Sequence, residues 1–303
     1  MLDVLVIGSG PAGLSAAIYA KRANLDVAVL EKEYCGTGQI AESNQVDNYL
    51  GLPGTNGFDL GEKFREHAEG FGVEIREAEA VSFETDVCEK CGKNYWRTGL
   101  KSAEVIESKT VIYTAGAIHR HLGLAGETKL SGKGVSYCAT CDGAFFREKA
   151  VAVVGGGDTA LDDALYLADM AKKVYLIHRR DEFRGSAQTV KKLEERENVE
   201  FVLSAVPRDI LGENTVSGIE LEDGRTIDVD GVFIAVGMIP MTQNVNGVVE
   251  LDSSGYVVAD ETGVTSAPGF FAAGDVRTKK LRQVVTAVSD GANAATSAEQ
   301  YIH

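Results

Sequence analysis

Positive charge, proline and long apolar runs are all scarce in this chain. The 303 residues carry 30 Lys and Arg against 45 Asp and Glu, a net charge of −15. A surface so acidic excludes nucleic acid or an anionic membrane as the main partner. The longest apolar stretches, such as residues 151–154, are strand-sized, too short for a membrane-crossing helix. No basic segment followed by an apolar one precedes the first strand, so no export signal is expected and the cytoplasm is the expected compartment. The five cysteines are an odd number, which argues against a structural disulfide framework. In that setting Cys-x-x-Cys pairs read as redox or metal sites. The five prolines are scattered, and no Pro- or Ser-rich linker separates domains, although the length suggests about two of them.

Glycine is plentiful, with 34 residues, and two clusters of it open the same pattern twice. The first copy reads as an apolar strand over 2–7, the run Gly8-Ser9-Gly10-Pro11-Ala12-Gly13, an Ala-rich helix to about residue 23, and a strand over 27–30 ending at Glu31. The second reads as a strand over 150–154, the run Gly155-Gly156-Gly157-Asp158-Thr159-Ala160, a helix to about 170, and a strand over 174–177 ending at His178-Arg179-Arg180. Each has the length of a parallel β-α-β crossover. Shorter strand signals lie at 83–87, 95–100 and 111–114, and the segment 201–236 reads as antiparallel strands around an Asp223-Gly224 turn. A long Ala-rich helix is expected over 283–301. The expected class is α/β: two Rossmann-like three-layer β/β/α dinucleotide-binding domains, the second inserted in the first. The crossings are placed near Gly116–Ala117 and Gly237–Pro240, with residues 1–116 and 245–303 in one domain and 117–244 in the other.

A lone GxGxxG is a weak signal, but both clusters follow an apolar strand and open a helix. That arrangement aims free backbone N–H groups at a pyrophosphate. The first glycine makes the turn, the second lets the backbone approach phosphate, and the third position, Ala160 in the second copy, allows close helix–strand packing. The ends of the second strands differ. Glu31 offers a carboxylate to the ribose hydroxyls of an adenosine without a 2′-phosphate. His178, Arg179, Arg180 and, a turn later, Arg184 offer positive charge suited to a 2′-phosphate. The first site therefore reads as FAD and the second as NADPH; the bland alternatives are ligand-free glycine turns and a solvated basic run.

Cys138-Ala139-Thr140-Cys141-Asp142 precedes the second nucleotide unit. Two intervening residues bring the sulfurs close enough for a reversible disulfide, and Asp142 is an adjacent proton donor for a departing thiolate. Half of a metal site is the competing reading. A structural zinc would need another pair, and the only other one is Cys88/Cys91.

Together these motifs make the chain resemble the low-molecular-weight thioredoxin reductases over essentially its full length. Ala273-Gly274-Asp275-Val276-Arg277 is similar to the family's second flavin motif, and Arg282-Gln283-Val284 to the stretch at the flavin's pyrimidine edge. The resemblance implies that Asp275 hydrogen-bonds the FAD ribityl chain and that Gln283, with the following helix N-terminus, stabilises charge near flavin N1/O2. It adds Pro11, Ala12, Lys32, Gly38, Gln39, Asn48, Ala115 and Gly116 to the FAD pocket, and Gly155, Gly157, Asp158, Thr159 and Ala160 to the NADPH pocket. Cys141 would face the flavin and Cys138 would attack the acceptor, thioredoxin or a similar small disulfide protein. The family also implies a homodimer, and an inserted domain that rotates on its two crossings to alternate nicotinamide and disulfide at the flavin.

Two features depart from the family pattern. Thr114-Ala115-Gly116 replaces an Ala-Thr-Gly turn, which keeps small residues at the crossing. Cys88-Glu89-Lys90-Cys91 has no family counterpart and reads as a polar hairpin tip, with an auxiliary disulfide or a shared metal as the sharper alternative. Cys35 reads as a lone thiol, and His119 and His121 as solvated residues near the first crossing. No bound metal is expected. Rival functions are a reductase fed by ferredoxin or another donor, the reductase of a peroxide-scavenging pair, and a non-enzymatic nucleotide sensor. The intact second nucleotide motif opposes the first, the position of Gly8 opposes the second, and the Cys-x-x-Cys opposes the third.

Overall fold

The computed structural model describes residues 1–32, 37–43, 46–87, 92 and 94–303, with only the backbone of Glu42. Cys35, Cys88 and Cys91 lie outside the described residues. The chain divides into two compact units, Met1–Ile118 with Ile239–His303, and His119–Met238.

The first unit begins with β1 (Leu2–Ile7), α1 (Pro11–Arg22) and β2 (Val27–Glu31). Val4, Leu5 and Val6 are fully buried, as a strand between parallel neighbours requires. Burial of such side chains contributes roughly 1.5–3 kcal/mol each. Pro11 occupies the first turn of α1, where its missing N–H costs nothing, and Lys21 and Arg22 complement the other end of the helix dipole. A helix that the glycine-and-strand pattern did not reveal, α2 (Gly57–Gly70), starts at Asn56, whose Oδ1 accepts from the Asp59 N–H at 2.7 Å. Then come β3 (Glu74–Glu77), β4 (Ala80–Val87), β5 (Asn94–Leu100) and β6 (Val105–Tyr113).

After Gly116 the chain crosses through β7 (Ala117–His119) into the second unit. That unit contains α3 (Ala125–Lys129), β8 (Val135–Ser136), α4 (Ala139–Asp142), β9 (Ala150–Gly155), α5 (Asp158–Ala168), β10 (Lys173–Ile177), α6 (Ala187–Glu194) and β11 (Val199–Val202). It continues with β12 (Pro207–Gly212), β13 (Val216–Leu221), β14 (Thr226–Ile227) and β15 (Gly231–Ala235). A parallel sheet runs β11-β10-β9-β15-β8, and β12-β13-β14 form a separate antiparallel sheet. Val153, Leu161, Leu167 and Phe233 pack under the helices on one face. Ala152, Val154, Ile219 and Leu221 join the two sheets on the other. This is the expected three-layer order. One detail differs: within 201–236 only Pro207–Ile227 is antiparallel, because Phe201 and Val202 end the parallel strand β11 and β15, a fully buried apolar run, joins the parallel sheet beside β9.

The chain returns through β16 (Met238–Pro240) and completes the first unit with β17 (Phe270–Ala272) and α7 (Val284–Ile302). Strand β6 divides its partners. Residues 105–108 pair with β5, and Val111–Tyr113 pair with β17. The β4–β5 hairpin can therefore leave the parallel layer and pack Phe83 and Trp96 on Phe270 and Tyr113, while α1 and α7 cover the opposite face. The two helices meet through small residues. A Cβ on Gly291 would lie 2.0 Å from the Ala12 carbonyl oxygen, and the Ser15 hydroxyl donates to the Val288 carbonyl at 2.7 Å.

Candidate active site

In the first unit the glycine turn separates into three mechanical roles. Gly8 has a φ of +105°, and a Cβ there would sit 2.7 Å from the Thr114 carbonyl oxygen. Gly13 brings α1 down onto the turn, since its Cβ would lie 1.9 Å from the Gly8 carbonyl oxygen. A Cβ on Gly10 would meet only Gly38 Cα at 3.9 Å and the Thr37 carbonyl oxygen at 4.0 Å, so Gly10 is the least crowded of the three. The Thr114 hydroxyl donates to the carbonyls of Ile7 at 2.7 Å and Gly8 at 3.0 Å, fixing the turn from the next strand. Glu31, at the tip of β2, accepts from the backbone N–H and hydroxyl of Ser9 at 2.8 and 2.7 Å. The sequence pattern placed Glu31 beside the turn without showing that Ser9 binds it there. Gly38, with a φ of +75°, packs against Gly10, whose Cα a side chain there would meet at 3.2 Å, and Gln39 starts the short helical turn that follows. Lys32 is exposed, and Ala115 and Gly116 are half-buried at the end of β6.

The loop before α7 supplies the other half of this unit's site. Asp275 sits in the helical turn Gly274–Val276. Its Oδ1 is buried without a hydrogen-bond partner, and burial pushes its carboxyl above the ordinary range while the Lys279 and Arg282 charges oppose the rise. Arg282 lies with its guanidinium carbon 4.2 Å from the Tyr256 ring centroid. Gln283 caps α7, whose first residue is Val284, and its Oε1 accepts from the Asn48 Nδ2 at 2.9 Å. Two widely separated expectations, Asn48 and Gln283, thus meet.

The second unit repeats the turn. A Cβ on Gly155 would lie 2.3 Å from the Ala235 carbonyl oxygen and 2.6 Å from the Ala160 methyl. The absence of a side chain at Gly155 therefore makes room for alanine where the first copy has Gly13. Gly157 caps α5 and has no heavy atom within 4 Å of its would-be Cβ. Asp158 and Thr159 are exposed at the helix start, and the Asp158 Oδ1 accepts from the Ser186 N–H at 2.7 Å. Arg179, Arg180 and Arg184 are exposed beyond β10. His178 is placed differently: it is buried beneath Gly156 and stacked on Phe183 at 5.4 Å. Burial, reinforced by the neighbouring Arg184, Arg179 and Arg180 charges, lowers its pKa.

On the same unit Cys138 and Cys141 form a disulfide across the start of α4. The Ser136 hydroxyl accepts from the Cys138 N–H at 3.1 Å and donates to the Asp142 Oδ2 at 2.7 Å. Burial raises the Asp142 pKa, and the Ser136 hydrogen bond opposes part of that rise. A carboxyl with a raised pKa next to Cys141 in the sequence suits proton donation during thiol–disulfide exchange. Just upstream, buried Glu127 accepts from the Tyr137 hydroxyl at 2.8 Å and from the backbone N–H groups of Leu122, Gly123 and Leu124. His119, half-buried, stacks on Tyr137, while His121 contacts both Tyr137 and Glu127 with its side chain 62% exposed, so solvation holds for His121 and His119 is packed.

The model of the pyridine nucleotide-disulphide oxidoreductase family matches residues 2–291. The thioredoxin reductase of Listeria monocytogenes is 40% identical over 306 residues, covering 99% of this chain and 93% of that protein. That of Mycolicibacterium smegmatis is 41% identical over 309 residues, covering 99% and 96%. The crystal structure of thioredoxin reductase from Streptococcus pyogenes superposes with a TM-score of 0.91 at 40% identity, covering 99% of this chain and 98% of that one. The chain belongs to the thioredoxin reductase family. Membership makes it an oxidoreductase that acts on a disulfide, and Cys138–Cys141 is the disulfide present among the described residues.

Behind the Asp275 loop of this thioredoxin reductase relative lies a buried charge cluster that no motif marks. Asp290 of α7 accepts from Arg277 at 2.6 and 3.0 Å, from the Lys279 Nζ at 2.9 Å and from the Gly274 N–H at 3.0 Å. The available signal was compositional: Asp290 is the one charged residue between Arg282 and Glu299, in an otherwise small and apolar helix.

Proposed function

We propose that this chain is an NADPH-dependent thioredoxin-disulfide reductase, with FAD held by the first unit and NADPH by the second. The observation that carries the reading is the Cys138–Cys141 disulfide, next to a half-buried carboxyl, on the unit that also bears the second open glycine turn and three exposed arginines. The residues of the first unit fit a flavin dinucleotide. The glycine-rich turn at Gly8–Gly13 opens α1, whose N-terminal N–H groups suit a pyrophosphate, and the unpartnered Asp275 Oδ1 is an acceptor for a sugar-chain hydroxyl. Gln283 and the N-terminus of α7 would meet the ring edge. In the second unit Gly157 admits the pyrophosphate, and Arg179, Arg180 and Arg184 would bind a 2′-phosphate in preference to a bare ribose. When bound, the flavin supplies transfer of an electron pair from nicotinamide to a disulfide.

The protein's own steps follow from thiol chemistry. After two-electron reduction, Cys138 and Cys141 are a thiol–thiolate pair. The Cys138 thiolate attacks the acceptor disulfide, forming a mixed disulfide and expelling one acceptor thiolate, which takes a proton from Asp142. Asp142, ionised by the first transfer, then takes the Cys141 proton. The Cys141 thiolate attacks Cys138 Sγ, re-forming the Cys138–Cys141 bond and releasing the acceptor's second thiolate, which is protonated by water as Asp142 keeps the Cys141 proton for the next turnover. One acceptor dithiol is made per NADPH consumed. Thioredoxin, named by the relatives, is the proposed acceptor.

Cys138→Ser tests the division of labour. NADPH should still bleach the flavin of this variant at the parent rate, and acceptor reduction should be abolished. Acceptor turnover retained in Cys138→Ser would refute the assignment.

A further inference from the structure

Lys279 lies between two carboxylates of the first unit, and its side chain is almost wholly buried, with 6% exposed. Its Nζ is 2.9 Å from Asp290 Oδ2 and 4.0 Å from Asp275 Oδ1. Asp290 holds three further donors, the Arg277 Nε and Nη2 and the Gly274 N–H. Arg277 is tied in turn to the carbonyls of Ala259 at 3.3 Å and Thr278 at 2.9 Å, so the cluster cannot drift as a whole. The Gly274 N–H is one residue from Asp275. Asp290 therefore pins both the backbone of the Asp275 loop and the cation nearest that carboxylate.

Resting on the assignment of FAD to this unit, we propose that Asp290 is a positioning residue that holds Lys279 back from Asp275. This keeps Asp275 Oδ1 available to the flavin's sugar chain. The geometry gives the reason. Lys279 needs to move little more than 1 Å to bring Nζ within hydrogen-bond distance of Oδ1. Two unlike charges in so buried a place attract strongly, so an unrestrained Lys279 would close that gap. The oxygen would then be engaged by an internal cation, and a flavin hydroxyl would have to displace it. An ion pair that merely held the loop together would have no such competitive consequence.

The distinguishing experiment is a double-mutant cycle on FAD binding, read by flavin fluorescence quenching as FAD titrates the flavin-stripped full chain. Asp290→Asn keeps the side-chain shape; with its amide oxygen at the Oδ2 position it still accepts from the Gly274 N–H but no longer has the charge that holds Lys279, and FAD affinity should fall about tenfold. Lys279→Met alone removes the competitor and leaves Arg277 paired with Asp290; its affinity should stay within about twofold of the parent. In Asp290→Asn/Lys279→Met most of the loss should be recovered. Additive or worse losses in the double variant would overturn the inference, as would a tenfold loss in Lys279→Met by itself. Should Asp290→Asn fail to fold, Asp290→Glu replaces it: the longer carboxylate re-engages Lys279 at an altered distance, and Lys279→Met must still suppress whatever affinity change it causes. Failure of the parent chain to bind FAD at all would overturn the flavin assignment itself, whereas normal parent binding with an additive cycle would overturn only the role of Asp290.

Discussion

Gly13 and Gly157 occupy related turns, yet an added side chain should do opposite things at the two positions. At Gly13 a Cβ would lie 1.9 Å from the Gly8 carbonyl oxygen and 2.7 Å from the Thr114 Oγ1. Helix α1 would have to retreat by more than an ångström, breaking its contact with a strand whose residues are fully buried. Overpacking of this kind costs about 1–3 kcal/mol, and here the obstacle is backbone, so the upper end applies. Gly13→Ala should therefore lower the unfolding midpoint by several degrees. At Gly157 a Cβ has no heavy atom within 4 Å and the backbone is extended, so Gly157→Val should leave stability within about 0.5 kcal/mol of the parent. The same side chain would stand where a pyrophosphate approaches, and excluding it should cost roughly 1.5–3 kcal/mol, or about ten- to a hundredfold in NADPH affinity. Thermal unfolding and NADPH titration of the two variants check this. Gly157→Val binding NADPH as tightly as the parent, or melting as low as Gly13→Ala, would refute the reasoning.

Two further outcomes follow from charge and proton placement. Because the Asp142 pKa is raised, the carboxyl keeps its proton above the ordinary aspartate range and loses it as pH rises through the higher value. Acceptor turnover should decline across that window; Asp142→Asn should be about ten- to a hundredfold slower and lose this limb, while NADPH still reduces the flavin. An unchanged pH profile in the variant would remove Asp142 as the proton source. Replacing Arg179 and Arg180 together with Gln should weaken NADPH about tenfold or more and NADH little, measured as the ratio of kcat/KM values. Equal losses for both cofactors would show that the pair does not read a 2′-phosphate.

The elements most legible in the sequence were those whose local chemistry and tertiary role agree. Apolar strands followed by glycine turns and Ala-rich helices appeared at 2–22 and 150–168 within one or two residues. Period and turn residues report backbone geometry directly, so the roles of Gly8 and Gly13 could be read before any contact was known. Helix α2 escaped because no strand-and-glycine pattern introduces it and its sequence is charged rather than Ala-rich, leaving only Asn56 to mark its start. Strand β15 was grouped with antiparallel neighbours because a short apolar run shows burial without showing which sheet it joins. His178, read with the arginines it adjoins, proved to lie under the turn, since adjacency in a strand end does not fix which way successive side chains face. The Asp290 cluster and the Glu127–Tyr137–His121 contacts join residues distant in sequence or common in loops, and no spacing rule marks them.

The central claim is a two-electron path from NADPH through Cys138–Cys141 to a small disulfide protein. It is tested most directly by coupling NADPH oxidation to dithiol formation in a steady-state assay of the FAD-loaded protein with oxidised thioredoxin. One acceptor dithiol should form per NADPH, with turnover that requires acceptor and is far slower when NADH replaces NADPH. NADPH oxidation that ignores the acceptor, or acceptor reduction that proceeds without NADPH oxidation, would contradict it.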